Sequence, residues 1–192
     1  MLYRILGIVV LLAFYGCYFI KMLLQKRKGI ITDQIGKGKA GCEKAIEIAM
    51  KIAAYLTPIA EIISIILGAS AMPNALRLLA AGIGTIGVAV FIISVVTMRD
   101  NWRAGIAGKD RTSLVTDGIY KISRNPAFVG FDLVYIGILL MFFNWILLFI
   151  SVFAMIMLHV QIVMVEEPFL LSAFGKEYAE YKNRVCRYIG KR

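Results

Sequence analysis

Apolar residues run in long blocks along this chain instead of alternating singly or in narrow stripes. Five windows, Leu2–Leu24, Ala45–Leu67, Ala75–Met98, Ala127–Phe143 and Trp145–Val165, reach or approach the roughly 20 apolar residues needed to cross a bilayer. Lipid offers the backbone no hydrogen-bond partners, so each window predicts a helix. The expected fold is all-α: a polytopic membrane bundle of five transmembrane helices, the fourth and fifth joined as a tight hairpin at Asn144. Beyond Pro168, apolar residues at Phe169, Leu170, Ala173, Phe174, Tyr178, Tyr181 and Val185 mark a C-terminal amphipathic helix. It either lies on the membrane or folds back as a lid. Little chain remains for a soluble unit, so residues 1–192 read as one membrane domain. A three-helix scaffold (1–98) precedes a second half (99–192) that holds the polar signals.

Composition supports this reading. The chain is 60% hydrophobic, above the roughly half expected of a soluble domain. A net charge of +10 would suit nucleic acid, but its placement argues for topology. Lys21–Lys44 holds seven basic residues, Arg99–Arg124 six and the tail after Val165 six, whereas Ser70–Arg77 holds one. Excess Lys and Arg mark cytoplasmic segments. Five spans then put the N-terminus outside and the C-terminus in the cytoplasm, and the basic stretches face anionic lipid headgroups. No nucleic-acid partner is expected. Cys17, Cys42 and Cys186 are scattered and His159 is the single histidine, so neither a disulfide framework nor a metal site is expected. A lone Arg before the first apolar run and Lys26-Arg27-Lys28 after it favour a retained helix over a cleaved leader.

Within the spans, Glu47 and Lys51 stand one turn apart as a pair. Pro58 is expected to kink the second helix, and Glu61 lies deep, facing the bundle interior or water. Ala80, Gly84 and Gly87 form a small-residue face for close helix packing. The chemistry gathers elsewhere. The cytoplasmic loop Arg99–Ser123 is long for a compact domain, and Trp102, Leu114, Val115, Ile119 and Tyr120 argue that it is ordered. Asn125-Pro126 opens a helix, with Asn125 as N-cap and proline in the first turn, where backbone amides attract anions. Arg124 can grip a carboxylate. The hairpin returns the chain to Glu166-Glu167 on the same membrane face, where a carboxylate can hold an ammonium. Together these groups suit a zwitterionic, amino-acid-like ligand, with a nucleoside resting on Trp102, Leu114, Val115 or Tyr120. His159, seven residues before Glu166, shares its helical face.

The run from Leu114 to Gly130 reads Leu-Val-x-x-Gly-x-Tyr-x-x-x-Arg-Asn-Pro-x-Phe-x-Gly. It is followed by Glu166-Glu167-x-x-Leu170-x-x-x-Phe174-Gly175-x-x-Tyr178-x-x-Tyr181. The pair resembles the isoprenylcysteine carboxyl methyltransferase family and its relatives, the phospholipid methyltransferases, over roughly Trp102 to Tyr188. The resemblance implies an integral-membrane enzyme that takes S-adenosylmethionine from the cytosol and a lipophilic acceptor from the bilayer. It implies cofactor contacts from Leu114, Val115, Gly118, Tyr120, Asn125, Pro126 and Glu167, and puts Arg124 on the acceptor's reacting carboxylate. Glu166 and His159 complete the candidate catalytic set, each a base if the acceptor is a phospholipid amine instead. A sterol-type reductase and a non-enzymatic lipid-binding protein are the rival readings. Asn125 replaces the family's commoner histidine, and Ile162 stands where eukaryotic members carry an arginine. The acceptor's identity and the oligomeric state are left open by these residues.

Overall fold

The computed structural model describes residues 1–35, 40–105 and 113–191. Ile106 of the long polar loop and residues 36–39 of the basic loop lie outside the described residues. The fold is all-helical, built from α1 (Leu2–Arg27), α2 (Gly41–Leu67), α3 (Asn74–Met98), α4 (Pro126–Met141), α5 (Trp145–Gln161) and α6 (Glu167–Arg184). A π-helical turn at Ile162–Glu166 joins α5 to α6, and a 3-10 turn at Gly118–Lys121 precedes α4. Among the described residues, four helical stretches are long and apolar enough to cross a membrane. The helix α4 is shorter, at 16 residues and roughly 24 Å.

The helices α3 and α4 form the closest pair, and glycine makes the approach possible. A Cβ added to Gly87 would come within 2.9 Å of the Gly130 carbonyl oxygen, and one on Gly137 within 2.6 Å of the Gly84 nitrogen. Backbone lies against backbone here, as small residues permit in lipid. Phe91 of α3 and Phe14 of α1 pack beside this seam, fully buried, with ring centroids 4.6 Å apart. The contact fixes the start of α4 beside the end of α3, and so positions the polar loop between them.

The helix α2 packs on α5 through Met50, Ala53, Ala154 and Leu158. Polar groups sit within this apolar contact: Gln161 Nε2 donates to Glu47 Oε1 at 3.2 Å, and both side chains are fully buried. Lys51 reaches Asp33, with Nζ 2.7 Å from Oδ2. Glu61 is fully buried and accepts from the Tyr15 hydroxyl at 3.4 Å, so this acid faces the interior. The helix α2 runs continuously through Pro58. At the opposite end of the bundle, Arg77 Nε donates to the Met141 carbonyl at 2.8 Å and stacks 4.1 Å over the Tyr3 ring. Three residues, Phe142–Asn144, connect α4 to α5. Asn144 caps α5 by accepting from the Leu147 amide at 2.9 Å.

Candidate active site

The polar loop is pinned from both sides. Gln25, at the end of α1, is 1% exposed; its Nε2 donates to the Trp102 carbonyl at 2.9 Å, and its Oε1 accepts from Thr32 at 2.7 Å. Trp102 is thereby buried against Tyr18 and Phe91. Gly118 opens the 3-10 turn with φ at 57°, and a Cβ there would meet Thr97 at 3.0 Å, so glycine is required twice over. The turn buries Tyr120, whose carbonyl accepts from the Tyr181 hydroxyl of α6 at 2.7 Å.

Arg124 follows. Its side chain is only 2% exposed and sits in an ion pair with Glu167, Nη2 to Oε1 3.0 Å, while Nη1 donates to the Tyr178 hydroxyl at 2.9 Å. Glu167 also accepts two hydrogen bonds from Arg187, at 2.8 and 3.0 Å, and lies 3.4 Å from Lys182 Nζ. Burial raises the Glu167 carboxyl, but the hydrogen bonds from Arg187 and the charges of Arg124, Arg187 and Lys182 outweigh it, so the group lies below its ordinary range. It is a carboxylate at neutral pH. Burial lifts the Tyr178 and Tyr181 phenols, which keeps both protonated.

The tail after α6 folds back on the same segment. The Arg124 amide donates to the Cys186 carbonyl at 3.1 Å, the Gly190 amide to Ile122 at 2.8 Å, and Asn125 Nδ2 to the Arg187 carbonyl at 3.1 Å. This corrects the expected capping. Asn125 occupies the N-cap position of α4, yet its side chain bonds the tail and makes no cap hydrogen bond. The first turn of α4 therefore lacks a side-chain cap, and Ala127 and Phe128 of that turn line a cavity.

That cavity, about 160 Å³, opens between the polar loop, the start of α4 and the first half of α6. Leu114, Val115, Tyr120, Arg124, Asn125 and Glu166 all line it, and Trp102 and Phe174 close its sides. Gly118, Pro126 and Glu167 stand behind this wall, shaping the turn, starting the helix and bracing Arg124. Of the two acids expected to hold a ligand ammonium opposite Arg124, Glu167 is paired with Arg124 itself, and Glu166 is the one that lines the cavity. Among the described residues, the buried Nε of Arg124 has no hydrogen-bond partner. A buried guanidinium N–H without an acceptor is costly, and a ligand carboxylate entering the cavity would satisfy it.

His159 is placed elsewhere. It is exposed, and its Nδ1 is hydrogen-bonded to the Tyr188 hydroxyl. The expected shared face with Glu166 assumes regular α-helix, and the π turn at Ile162–Glu166 breaks that register. Ile162 is fully buried within this turn. The C-terminal helix folds back over the loop: Tyr178, Tyr181 and Val185 pack with Leu114, Leu170 and Phe174. It breaks at Gly175, where φ is 50° and ψ −120°, and ends at Arg184, just short of Val185, the last apolar residue of the expected stripe. Arg187 is the partner that sequence reasoning missed. Nothing in the spacing of the basic residues after Val165 marks Arg187 as the one that bonds Glu167 through both carboxylate oxygens.

The sequence model of the phospholipid methyltransferase family matches residues 76–177, more than half of the chain. The chain belongs to that family. The matched residues take in nearly all of α3, the polar loop, α4, α5 and the first half of α6, and with them every cavity-lining residue except Tyr178 and Tyr181. Two proteins named protein-S-isoprenylcysteine O-methyltransferase are similar over 72 residues: one of Saccharomyces cerevisiae at 39% identity and one of Schizosaccharomyces pombe at 33%. Each match takes in 38% of this chain and 30% of the yeast protein, so the chain spans under a third of the length of these relatives.

Proposed function

We propose that this protein is a membrane methyltransferase that uses S-adenosylmethionine and a lipophilic acceptor drawn from the bilayer. The acceptor group is a carboxylate of the isoprenylcysteine type. The observation that carries the reading is the unmet Nε of Arg124, buried in the wall of a cavity that family-matched elements enclose. Five spans, with the N-terminus outside and the cavity at the cytoplasmic face, agree with the distribution of Lys and Arg.

S-adenosylmethionine, when bound, supplies an electrophilic methyl group. Leu114, Val115, Tyr120 and Asn125 hold it, with Gly118 and Pro126 setting the backbone they stand on. Arg124 orients the acceptor carboxylate through Nε, and Glu167 fixes the guanidinium for that purpose. Alignment and electrostatic fit are what such a site contributes. A carboxylate loses no proton on methylation, so no base is required of the chain. The family description favours a second reading, a phospholipid amine, and Glu166 in the cavity wall is then the base.

The test incubates the protein in membranes with methyl-labelled S-adenosylmethionine and N-acetyl-S-farnesylcysteine. Base-labile label in the prenylcysteine supports the carboxylate reading, and label in phosphatidylethanolamine supports the amine. Failure of the purified protein to bind S-adenosylmethionine at saturation refutes both.

A further inference from the structure

A second and larger cavity, about 620 Å³, opens between α1 and α2 on the membrane-facing side. Its walls are Leu12, Tyr15 and Phe19 of α1 against Tyr55, Pro58 and Ile62 of α2. Both helices lie outside residues 76–177, so the groove's lining, except Phe131 of α4, belongs to the part of the chain that the family match does not cover. Among its lining residues only Asp33 and Lys51 carry charge, and they form an ion pair at its cytoplasmic mouth. From Lys51 to Ile66 the groove follows α2 for roughly 22 Å. Gly16 of α1 is part of the wall and presents no side chain to it.

Three observations say what fits there. The groove outruns one leaflet, which is about 15 Å deep, half of the hydrocarbon core. It suits a chain that passes the bilayer midplane rather than the tail of an ordinary leaflet lipid. Its polar pair at one end and apolar length beyond match a molecule with one polar head and one long tail. Its mouth also adjoins the candidate active site. Asp33 and Ile35 line the groove, Arg103 and Gly105 line the active-site cavity, and the two short segments are hydrogen-bonded together. The Gln34 amide donates to the Ala104 carbonyl at 2.8 Å, and the Ala104 amide to Thr32 at 3.0 Å. A head emerging beside Lys51 is therefore at the rim of the cavity that holds Arg124.

We propose that the α1–α2 groove seats the single long hydrocarbon tail of the methyl acceptor. The inference rests on the methyltransferase reading above and adds the place where acceptor chain length is measured. Acceptor selectivity then resides in the scaffold half, outside the elements that bind the methyl donor.

A photoreactive diazirine analogue of N-acetyl-S-farnesylcysteine tests this by labelling, with no turnover needed. Wild type is expected to carry the label on α1 and α2 peptides, competed by the unmodified farnesyl compound and not by added dioleoylphosphatidylcholine. Gly16→Phe puts a ring at a lining position of the groove where an added Cβ meets nothing within 4 Å. It should lower that labelling about tenfold or more and raise the acceptor KM similarly, with S-adenosylmethionine affinity unchanged. Gly82→Phe, equally unobstructed but on an exposed face of α3, should change neither. Label outside α1 and α2, equal competition by the phospholipid, or a Gly16→Phe protein labelled like wild type would each overturn the groove assignment. Failure of the methyltransferase reading shows separately, as wild type that takes the label in the groove but does not bind S-adenosylmethionine.

Discussion

Replacing Glu167 with glutamine removes the anion paired with the buried Arg124 guanidinium. Arg124 is 2% exposed at its side chain and Glu167 7%, so water cannot take over when the charge is lost. Breaking a buried pair from one side costs about 3–5 kcal/mol, and glutamine, which keeps the shape and one acceptor, should fall near the lower end. The cost should grade with burial across the cluster. Arg187, 31% exposed but doubly bonded, should lose about 1–2 kcal/mol as Arg187→Gln, and Lys182, 39% exposed, under about 1 kcal/mol as Lys182→Met. Reversible unfolding in mixed detergent micelles measures each step. Arg124→Met combined with Glu167→Gln should regain much of the stability, since the charges then left without Glu167, on Arg187 and Lys182, are partly exposed and reach water. A Glu167→Gln protein within about 1 kcal/mol of wild type, or no worse than Lys182→Met, would refute the buried-pair argument.

Other outcomes follow from the same geometry. Arg124→Lys keeps the charge but loses the planar fork, and should raise the KM for N-acetyl-S-farnesylcysteine by about tenfold or more. The Glu167 carboxyl is depressed in the fold, so its contribution to stability is complete above the unfolded value near ~4.3 and fades as pH falls through the lower folded value. Thermal unfolding should therefore be flat in pH from neutral to about 5, and the wild type should lose its advantage over Glu167→Gln only in stronger acid. Gly137→Ala forces backbone apart at the α3–α4 seam and should destabilise by about 1–3 kcal/mol in the same micelle assay, whereas Gly82→Ala should be neutral. With a carboxylate acceptor, Glu166→Gln should leave the pH profile of turnover unchanged; a shifted profile would favour the amine.

The helices were legible because lipid leaves an apolar chain no other choice, and the small-residue face of α3 meets its counterpart on α4 as its spacing implied. Clustering of Leu114, Val115, Tyr120, Arg124, Asn125 and Glu166 around one cavity follows from motif order plus the return of α5 to the same face. What the sequence hid were choices between near-equal partners. Arg124 and Glu167 each offer a charge to a ligand on paper, but at 3.0 Å and buried, they satisfy each other first. Asn125 had two sets of backbone groups in reach, and its side chain went to the tail carbonyl of Arg187. Lys51 reached the loop acid Asp33, a contact no helical spacing encodes. His159 was misplaced for a different reason, because a change of helix type leaves no mark in a run as uniformly apolar as Ile162-Val-Met-Val165.

That wider turn has an evolutionary reading. A π turn carries one residue more than the α-helical path it replaces, so it behaves like an insertion absorbed without breaking the helix. Were the same residues to run on as regular α-helix, everything after the turn would be rotated by roughly 100°. Two consecutive acids differ by that same angle, so Glu166 would then stand where Glu167 braces Arg124. The wider turn, and not either side chain, thus decides which acid braces and which lines the cavity.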